Sequence, residues 1–457
     1  MRAPVTCAAA VAGILTGVSA GCGGDSCAPG GRTGTAPLGA ACGSDCDCAT
    51  TNCYQGHCLP RLAWAARYLC DTSSSADVVA DTSNGLFVSG MFVGTMDVDP
   101  TDAVDRISAT TLPMPFATAL AGDQTFLWGE ALATTPTNPV DKNPTMVLVA
   151  RPAGANVALG LGDTNSIRNA WRIDAATGQL RSPDVHLDAS DFDVRPDTGD
   201  IVAADSQYVW AIDEAGREIW RAYIPAGRVR VDPTGGYIVA SEFDIAVDTD
   251  PGPGTTSYTP IDQDLQVTKL ATDGSAWSWR TVLGGQGTHW LQDVAVASDG
   301  TVYLAGYFNG AIDATVGAIA AADQSDAFAA ALNADGTVRW LTLLGADEAF
   351  NVVPLPDGNV LLSGFGDLSV AGSRPPPADG QPHLFLLELD GAGGHIWSAY
   401  SGVPTKMRLG SDGALFVHGW INGAHVDATP FRGGYLTSEG SPSFSYQSGI
   451  VLKMVIR

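Results

Sequence analysis

The sequence predicts an all-β protein, a β-propeller of seven four-stranded blades closed by pairing of its N- and C-terminal strands. Three observations lead to this prediction. A hairpin phrase recurs along the chain at intervals of roughly 50 to 60 residues, and a second phrase that ends in Trp answers it. The composition, in addition, is rich in turn-forming residues and poor in the residues that cover helix surfaces.

The first phrase reads as two alternating apolar runs around an Asp-Gly turn. Its clearest copies are Asp293–Gly306, Asn351–Gly364 and Met407–Gly419. Alternation of apolar and polar residues is typical of a strand, and Asp-Gly between two such runs is a strong hairpin signal. Each copy therefore predicts one antiparallel hairpin.

The second phrase supplies another hairpin in each period. It is clearest at Val267–Trp279, Asp326–Trp340 and Leu384–Trp397. Two hairpins per period give a four-stranded unit, which is the size of one propeller blade.

Weaker copies extend the pattern over residues 61–457, which we take as the propeller. Inner hairpins are predicted near 76–92, 145–161, 191–204, 229–242, 291–308, 351–365 and 407–420. Outer hairpins are predicted near 114–128, 170–180, 208–222, 266–282, 326–343 and 384–400. The remaining outer hairpin is divided between the ends of the domain, with Ile450–Ile456 as one strand and Leu62–Leu69 as the other. Such closure removes exposed sheet edges.

A Trp recurs at one place in the outer hairpin. Trp220, Trp340 and Trp397 each follow a Gly by four residues, and Trp279 follows a turn that is one residue longer. A large aromatic side chain at a fixed position in each blade is expected to fill the space between neighbouring blades.

The charge of the chain excludes two classes of partner. Lys and Arg total 24 against 49 Asp and Glu, which gives a net charge of −25. Nucleic acids and anionic membrane surfaces would repel such a protein. We expect a monomer whose partner is a protein or a polysaccharide.

The N-terminus has the layout of a secretory signal peptide over residues 1–21. Arg2 precedes an apolar stretch from Val5 to Ala20 that ends in small residues. Ser19-Ala20-Gly21-Cys22 predicts lipidation of Cys22, with a Gly-rich tether over 22–41 and attachment to the outer membrane or cell surface. Cleavage after Ala20 is the alternative, and it would leave a freely secreted or periplasmic protein.

A cysteine-rich module follows at residues 42–60. In an exported chain, closely spaced cysteines predict a small disulfide-stapled unit. Zinc binding is the alternative, although the spacing lacks paired CxxC motifs. The candidate disulfide cysteines are Cys27, Cys42, Cys46, Cys48, Cys53 and Cys58.

Candidate catalytic residues are not apparent. The sequence contains no nucleophile elbow, P-loop, HExxH motif or dinucleotide fingerprint. Calcium is the one ion for which the sequence offers candidate ligands. Asp97, Asp99 and Asp102 lie close together in a predicted loop, and calcium prefers carboxylate oxygens. The cluster Asp188, Asp191 and Asp193 is interpreted as solvated. No other cofactor is predicted.

The repeat phrases resemble the seven-bladed β-propeller repeat of bacterial exported proteins. The resemblance is good over about 290–420, fair over 229–284 and poor in the first three blades. The segment from Gly39 to Cys58 resembles cysteine-rich modules near the start of bacterial surface lipoproteins. Arg172–Leu180 and Ala211–Trp220 resemble the tryptophan-docking repeat of quinoprotein-type propellers, without an evident quinone and calcium site. These resemblances imply a place in the cell envelope and transfer no catalytic residue.

Three functions remain open at this stage. The first is a non-catalytic cell-envelope lipoprotein whose propeller is a binding or scaffold surface. The second is a propeller lyase or hydrolase with its site in the central funnel, where loops from every blade gather. The third is a purely structural surface protein. An aromatic or apolar patch on the rim would favour the first, and a cluster of acidic or His side chains at the mouth of the funnel the second.

Overall fold

Nearly all of the described chain consists of antiparallel β-strands and turns. The computed structural model describes residues from Ala36 to Ile456, with gaps that include 43–47, 69–73, 81–85, 100–104, 132–144, 401–405, 428–434 and 438–446. All regular elements in this part of the chain are strands, as the composition predicts. None of the residues described belongs to a helix long and apolar enough to cross a membrane.

The N-terminal module contains two short paired strands, β1 (Cys53–Tyr54) and β2 (His57–Cys58). Disulfides join Cys42 to Cys53 and Cys48 to Cys58. The prediction of disulfides is therefore confirmed for these four cysteines. Cys27 and Cys46 lie outside the described residues, as do the predicted signal peptide and Cys22.

The strand β3 (Arg61–Tyr68) follows the module, and six four-stranded sheets come next, each built from one stretch of chain. Sheet 1 contains β4 (Ser74–Ala80), β5 (Leu86–Asp97), β6 (Arg106–Leu120) and β7 (Phe126–Ala131). Sheet 2 contains β8 (Thr145–Ala153), β9 (Asn156–Asp163), β10 (Ser166–Asp174) and β11 (Leu180–Ala189). Sheet 3 contains β12 (Asp191–Val194), β13 (Ile201–Ala204), β14 (Tyr208–Ile212) and β15 (Glu218–Tyr223).

The next three sheets carry insertions between their second and third strands. Sheet 4 contains β16 (Arg228–Val231), β17 (Tyr237–Phe243), β20 (Asp264–Leu270) and β21 (Trp277–Leu283), with the inserted hairpin β18 (Val247–Asp248) and β19 (Ser257–Tyr258). Sheet 5 contains β22 (His289–Val296), β23 (Val302–Phe308), β26 (Asp326–Leu332) and β27 (Val338–Leu343), with the inserted hairpin β24 (Ala311–Ala314) and β25 (Gly317–Ala320). Sheet 6 contains β28 (Glu348–Pro354), β29 (Val360–Phe365), β30 (Leu384–Leu389) and β31 (His395–Tyr400), with residues 366–383 inserted.

A composite sheet joins the two ends of the domain. It contains β32 (Lys406–Leu409), β33 (Leu415–Asn422), β36 (Gln447–Val455) and β3, in the order β3-β36-β33-β32. Its insertion is the hairpin β34 (His425–Asp427) and β35 (Tyr435–Thr437). In the register between β3 and β36, Arg67 is opposite Ile450 and Ala65 is opposite Leu452.

The predicted count of seven blades is corrected to six. Each of the six is a four-stranded sheet built from one stretch of chain, whereas the composite sheet combines strands from both ends of the domain. The repeated four-stranded antiparallel meander identifies an all-β protein of the β-propeller type.

The Asp-Gly turns form as the sequence predicts. Gly300, Gly358 and Gly413 all have positive φ, of 83°, 87° and 76°, a conformation that glycine adopts without steric cost. The carboxylate of the preceding Asp accepts the backbone N–H two residues further on, as in the 2.9 Å bond from Thr301 N–H to Asp299 Oδ1. These turns fix the register of the hairpins.

The chain divides into two compact units. One comprises Met1–Thr164, Arg172–Ser182 and Ala399–Arg457, and the other comprises Asn165–Trp171 and Pro183–Ser398. In the first unit, Phe416 of β33 packs in one core with side chains of sheet 1 such as Phe92 and Phe116. In the second unit, a core spans sheets 4 and 5 and another spans sheets 3 and 4. Neighbouring sheets therefore share apolar cores within each unit.

Removing the last strand should disrupt the composite sheet. Leu452, Met454 and Ile456 are buried, and β36 is hydrogen-bonded to both β3 and β33. We expect a chain that lacks residues 450–457 to lose cooperative thermal unfolding and to aggregate, because the loss of β36 leaves the edges of β3 and β33 exposed. Thermal melting and size-exclusion chromatography would measure both effects.

Lys453→Gln provides the control for this truncation. It removes the partly exposed ion pair between Lys453 and Asp412, whose atoms are 2.7 Å apart, and the contact of the ammonium group with the Phe416 ring, and it leaves β36 in place. Such pairs contribute about 1 kcal/mol or less, so this variant should melt close to the wild type. A truncated protein with an unchanged melting transition would contradict the importance of the terminal pairing.

Candidate functional site

The recurring Trp side chains pack against the outer turn of the next sheet. The indole N–H of Trp340 in sheet 5 donates a 3.2 Å hydrogen bond to the carbonyl of Gly391 in sheet 6. Trp279 in sheet 4 donates likewise to Ala334 in sheet 5, and Trp128 in sheet 1 to Ala175 in sheet 2, each at 3.0 Å. The predicted packing role between blades is confirmed for Trp279 and Trp340, and Trp128, which was not predicted, makes the same contact. The indole N–H of Trp397 donates instead to Glu388 of its own sheet, at 2.5 Å.

A glycine in each turn makes room for the ring. A Cβ placed on Gly336 would lie 2.5 Å from the Trp279 ring, and one placed on Gly393 would lie 2.9 Å from the Trp340 ring. Both glycines also have a φ of +83°. Gly336 and Gly393, which each precede a Trp in the repeat, are therefore contact surfaces for the Trp of the previous sheet.

Carboxylates on the first strands make a second set of links between sheets. Asp193 Oδ2 in β12 accepts the backbone N–H of Val231 in β16, at 2.8 Å. Asp293 Oδ2 in β22 accepts the N–H of Val352 in β28, at 3.1 Å. Asp191 and Asp193 are 5% and 1% exposed, so the interpretation of the cluster as solvated is wrong for these two, whereas Asp188 is exposed. In place of water, the carboxylates of Asp193 and Asp293 accept hydrogen bonds from backbone N–H groups of the neighbouring sheet.

Arg230 connects three consecutive sheets through charge. Its guanidinium lies 2.5 Å from Asp191 Oδ2 in sheet 3 and 3.1 Å from Asp293 Oδ1 in sheet 5. Burial alone would lower the pKa of Arg230, but the charges of Asp191, Asp293 and Asp193 outweigh it and the pKa is raised. Because every charge in this network is paired, it fits a structural role.

His289 is another buried polar side chain with structural contacts. Its Nδ1 lies 2.5 Å from the carbonyl oxygen of Gln263, and its Nε2 lies 3.0 Å from that of Ala311. Asp264 Oδ1 is 3.4 Å from the same ring. These contacts connect the start of β22 with the strands of sheet 4 and the inserted hairpin of sheet 5.

The predicted calcium residues are only partly described. Asp97 Oδ1 accepts the backbone N–H groups of Asp99 and Asp105, at 3.2 and 3.0 Å, so that oxygen already closes the loop. Asp102 lies outside the described residues. Within the described part of the chain, the one group with possible metal-binding geometry is Cys42, Cys48 and Cys53, whose sulfurs form disulfides. The calcium site stays a prediction.

An aromatic pair with two carboxylates lies at the strand ends of sheets 4 to 6. The rings of Trp290 and Tyr307 stack with centroids 4.7 Å apart, and Glu242 Oε1 accepts the N–H of Leu291 at 2.8 Å. Burial raises the pKa of Tyr307, and the charges of Glu348 and Glu242 add to this shift. Burial also raises the pKa of Glu348, with a contribution from the charge of Asp347. This group has polar chemistry that sequence patterns did not reveal.

An exposed apolar surface lies beside β15. Tyr223 is 70% exposed and Ile245 is 62% exposed, and both line a cleft of about 440 Å³. Trp277, Arg280, Asp248 and Ser275 line it as well, and we call it the Tyr223 cleft. Its volume falls in the usual range of ligand pockets, roughly 300–1,000 Å³.

The cleft exists because sheet 3 and sheet 4 connect their middle strands differently. Only residues 205–207 join β13 to β14, whereas residues 244–263 lie between β17 and β20 and include the inserted hairpin β18–β19. The beginning of that insertion lines the cleft together with the end of β15. Tyr208 supports Tyr223 from the neighbouring strand, with ring centroids 5.4 Å apart. The sequence offered no signal for this surface, because Tyr223 and Ile245 belong to no motif.

Comparisons with known proteins give structural likenesses alone. No protein-family model matches the chain, and no curated protein matches it. Kuenenia stuttgartiensis hydrazine synthase is 14% identical over 64% of this chain and 80% of its own, with a TM-score of 0.42. The Neurospora crassa Pan2 WD40 domain is 9% identical over 84% of this chain and 89% of its own, with a TM-score of 0.44. A Bacteroides caccae protein of unknown function is 13% identical over 62% of this chain and 89% of its own, with a TM-score of 0.35.

Deleting one of the bridging Trp rings should be costly. Trp340 is 7% exposed and contacts the Gly393 turn of the next sheet, so Trp340→Ala leaves a cavity between two sheets. We expect the free energy of unfolding to fall by about 3–5 kcal/mol, the usual range for deletion of a core aromatic. Chemical denaturation monitored by circular dichroism would measure it. An unchanged midpoint would show that the ring does not hold the sheets together.

Proposed function

We propose that the protein is an exported, non-catalytic binding protein of the cell envelope, in which the repeated sheets present the Tyr223 cleft to a partner. The single observation that carries this proposal is the cleft itself. Exposed apolar side chains that meet in a concave site beside polar groups are typical of binding surfaces. The partner classes that we consider are polysaccharide and protein.

Export and anchoring belong to the same proposal. The disulfides Cys42–Cys53 and Cys48–Cys58 suit an oxidising compartment outside the cytosol. The apolar stretch Val5–Ala20 and the sequence around Cys22 favour a signal peptide followed by lipidation. The mass of the mature N-terminal peptide checks this, since an unmodified N-terminus would contradict lipidation at Cys22.

We also propose that the composite sheet closes the repeat region by joining its two ends. The pairing of β3 with β36 supports this, because it joins the beginning and the end of the repeat region. Closure would leave the insertions and outer strands as the variable surfaces. The truncation of residues 450–457 described above tests it.

The function is tested with two exposed side chains of the cleft. The mature protein would be immobilised and offered two fractions of the bacterial envelope, purified polysaccharide and solubilised protein. We expect one fraction to bind, and we expect Tyr223→Ala and Ile245→Asp to reduce the affinity at least tenfold. Both side chains are exposed, so neither substitution should unfold the protein.

Ile261→Asp is the matched control. Ile261 is 70% exposed but does not line the cleft, so its substitution should leave binding unchanged. If the wild-type protein binds neither fraction, the binding function is wrong and a purely structural role is favoured. If Ile261→Asp weakens binding as much as Ile245→Asp, the partner does not occupy the Tyr223 cleft.

A further inference from the structure

The Tyr223 cleft contains a cation that is held in place without a carboxylate partner. Arg280 Nε donates a 3.1 Å hydrogen bond to Thr268 Oγ1, and Arg280 Nη1 donates to the carbonyl oxygen of Asp248. The guanidinium carbon also lies 4.6 Å from the centre of the Trp277 ring. Among the described residues, no carboxylate forms an ion pair with this guanidinium.

Arg280 and Arg230 differ in their charge partners. Both arginines are partly buried, but Arg230 has Asp191 and Asp293 as direct partners. The pKa of Arg230 is raised, whereas burial lowers the pKa of Arg280 against the weaker opposing effect of the Asp248 charge. Arginine nevertheless stays protonated at neutral pH. Arg280 is therefore a partly desolvated charge for which an anion from outside would supply the missing partner.

The other residues that line the cleft indicate what kind of ligand would carry that anion. The exposed ring of Tyr223, the ring of Trp277 and the aliphatic Ile245 surround the charge. A free inorganic anion would not use these surfaces. A ring-shaped ligand with one carboxylate would contact both the apolar surfaces and the cation. Its face can cover the Tyr223 ring while its carboxylate pairs with Arg280.

We propose that the Tyr223 cleft binds a uronic-acid unit of an acidic saccharide, with the carboxylate on Arg280 and the sugar ring against Tyr223. This inference rests on the proposed function and names the ligand class for the same cleft. The protein's net charge of −25 disfavours polyanions in general, so a local cation is needed to hold an acidic chain. Arg280 supplies that cation, already oriented by Thr268 and Trp277.

Isothermal titration calorimetry with three defined probes tests the proposal. The probes are a galacturonic acid trimer, the corresponding neutral galactose trimer and a hexaglutamate peptide. We expect the acidic trimer to bind at least tenfold more tightly than the neutral trimer. Its affinity should fall as salt is added, because ions screen the pairing with Arg280.

Variants separate the two contacts. Arg280→Gln should remove the preference for the acidic trimer, while Arg280→Lys should keep part of it. Tyr223→Ala should weaken both trimers, and its exposed position keeps the test valid if Arg280→Gln folds poorly. Arg339→Gln is the matched control, since Arg339 lies on the outer strand β27 of the next sheet and does not line the cleft.

Three results would overturn the proposal. These are equal affinity for the acidic and neutral trimers, tighter binding of hexaglutamate, which would indicate a site for acidic peptides, and no binding of any probe by the wild-type protein. If the acidic trimer fails but an envelope fraction still binds through Tyr223 and Ile245, only the ligand class is wrong. If that fraction fails as well, the binding function is wrong.

Discussion

The structure depends on the contact between one four-stranded sheet and the next. A single sheet of this size has two faces to cover and cannot cover them alone, so its neighbours must be held at a fixed distance and angle. Carboxylates on the first strands achieve this on one edge, since Asp193 and Asp293 accept backbone N–H groups of the following sheet. Indole rings such as Trp340 achieve it on the other edge, against the outer turns.

These two kinds of contact leave the connection between the second and third strands unconstrained. That connection is three residues long in sheet 3, at 205–207, and is an inserted hairpin in sheets 4 and 5. Where a long insertion follows a short one, the outer strand β15 stays uncovered and Tyr223 is exposed. The proposed binding surface is thus a consequence of variation at the position that the inter-sheet contacts leave free.

The repeated elements could be predicted from the sequence because each one has a local cause. Asp299-Gly300 forms its turn through positive φ and a carboxylate bond, and both signals are visible in the residues themselves. The inter-sheet partners could not be predicted, because Asp191 and Arg230 are far apart in the chain and meet only after their sheets pack. Arg280 was missed for the same reason, since its contacts with Thr268, Trp277 and the carbonyl of Asp248 form only when the insertion packs beside β20 and β21.

Hydrogen exchange at the first strands tests the central claim most directly. The amides of Val229, Val231 and Val352 donate to carboxylates of the preceding sheet and lie on edge strands, where such amides would otherwise face solvent. The account predicts that they exchange as slowly as amides paired inside the sheets, and that Asp293→Ala accelerates exchange at Val352. Rapid exchange at all three amides, with the interior of each sheet still protected, would contradict the view that these contacts hold the sheets together.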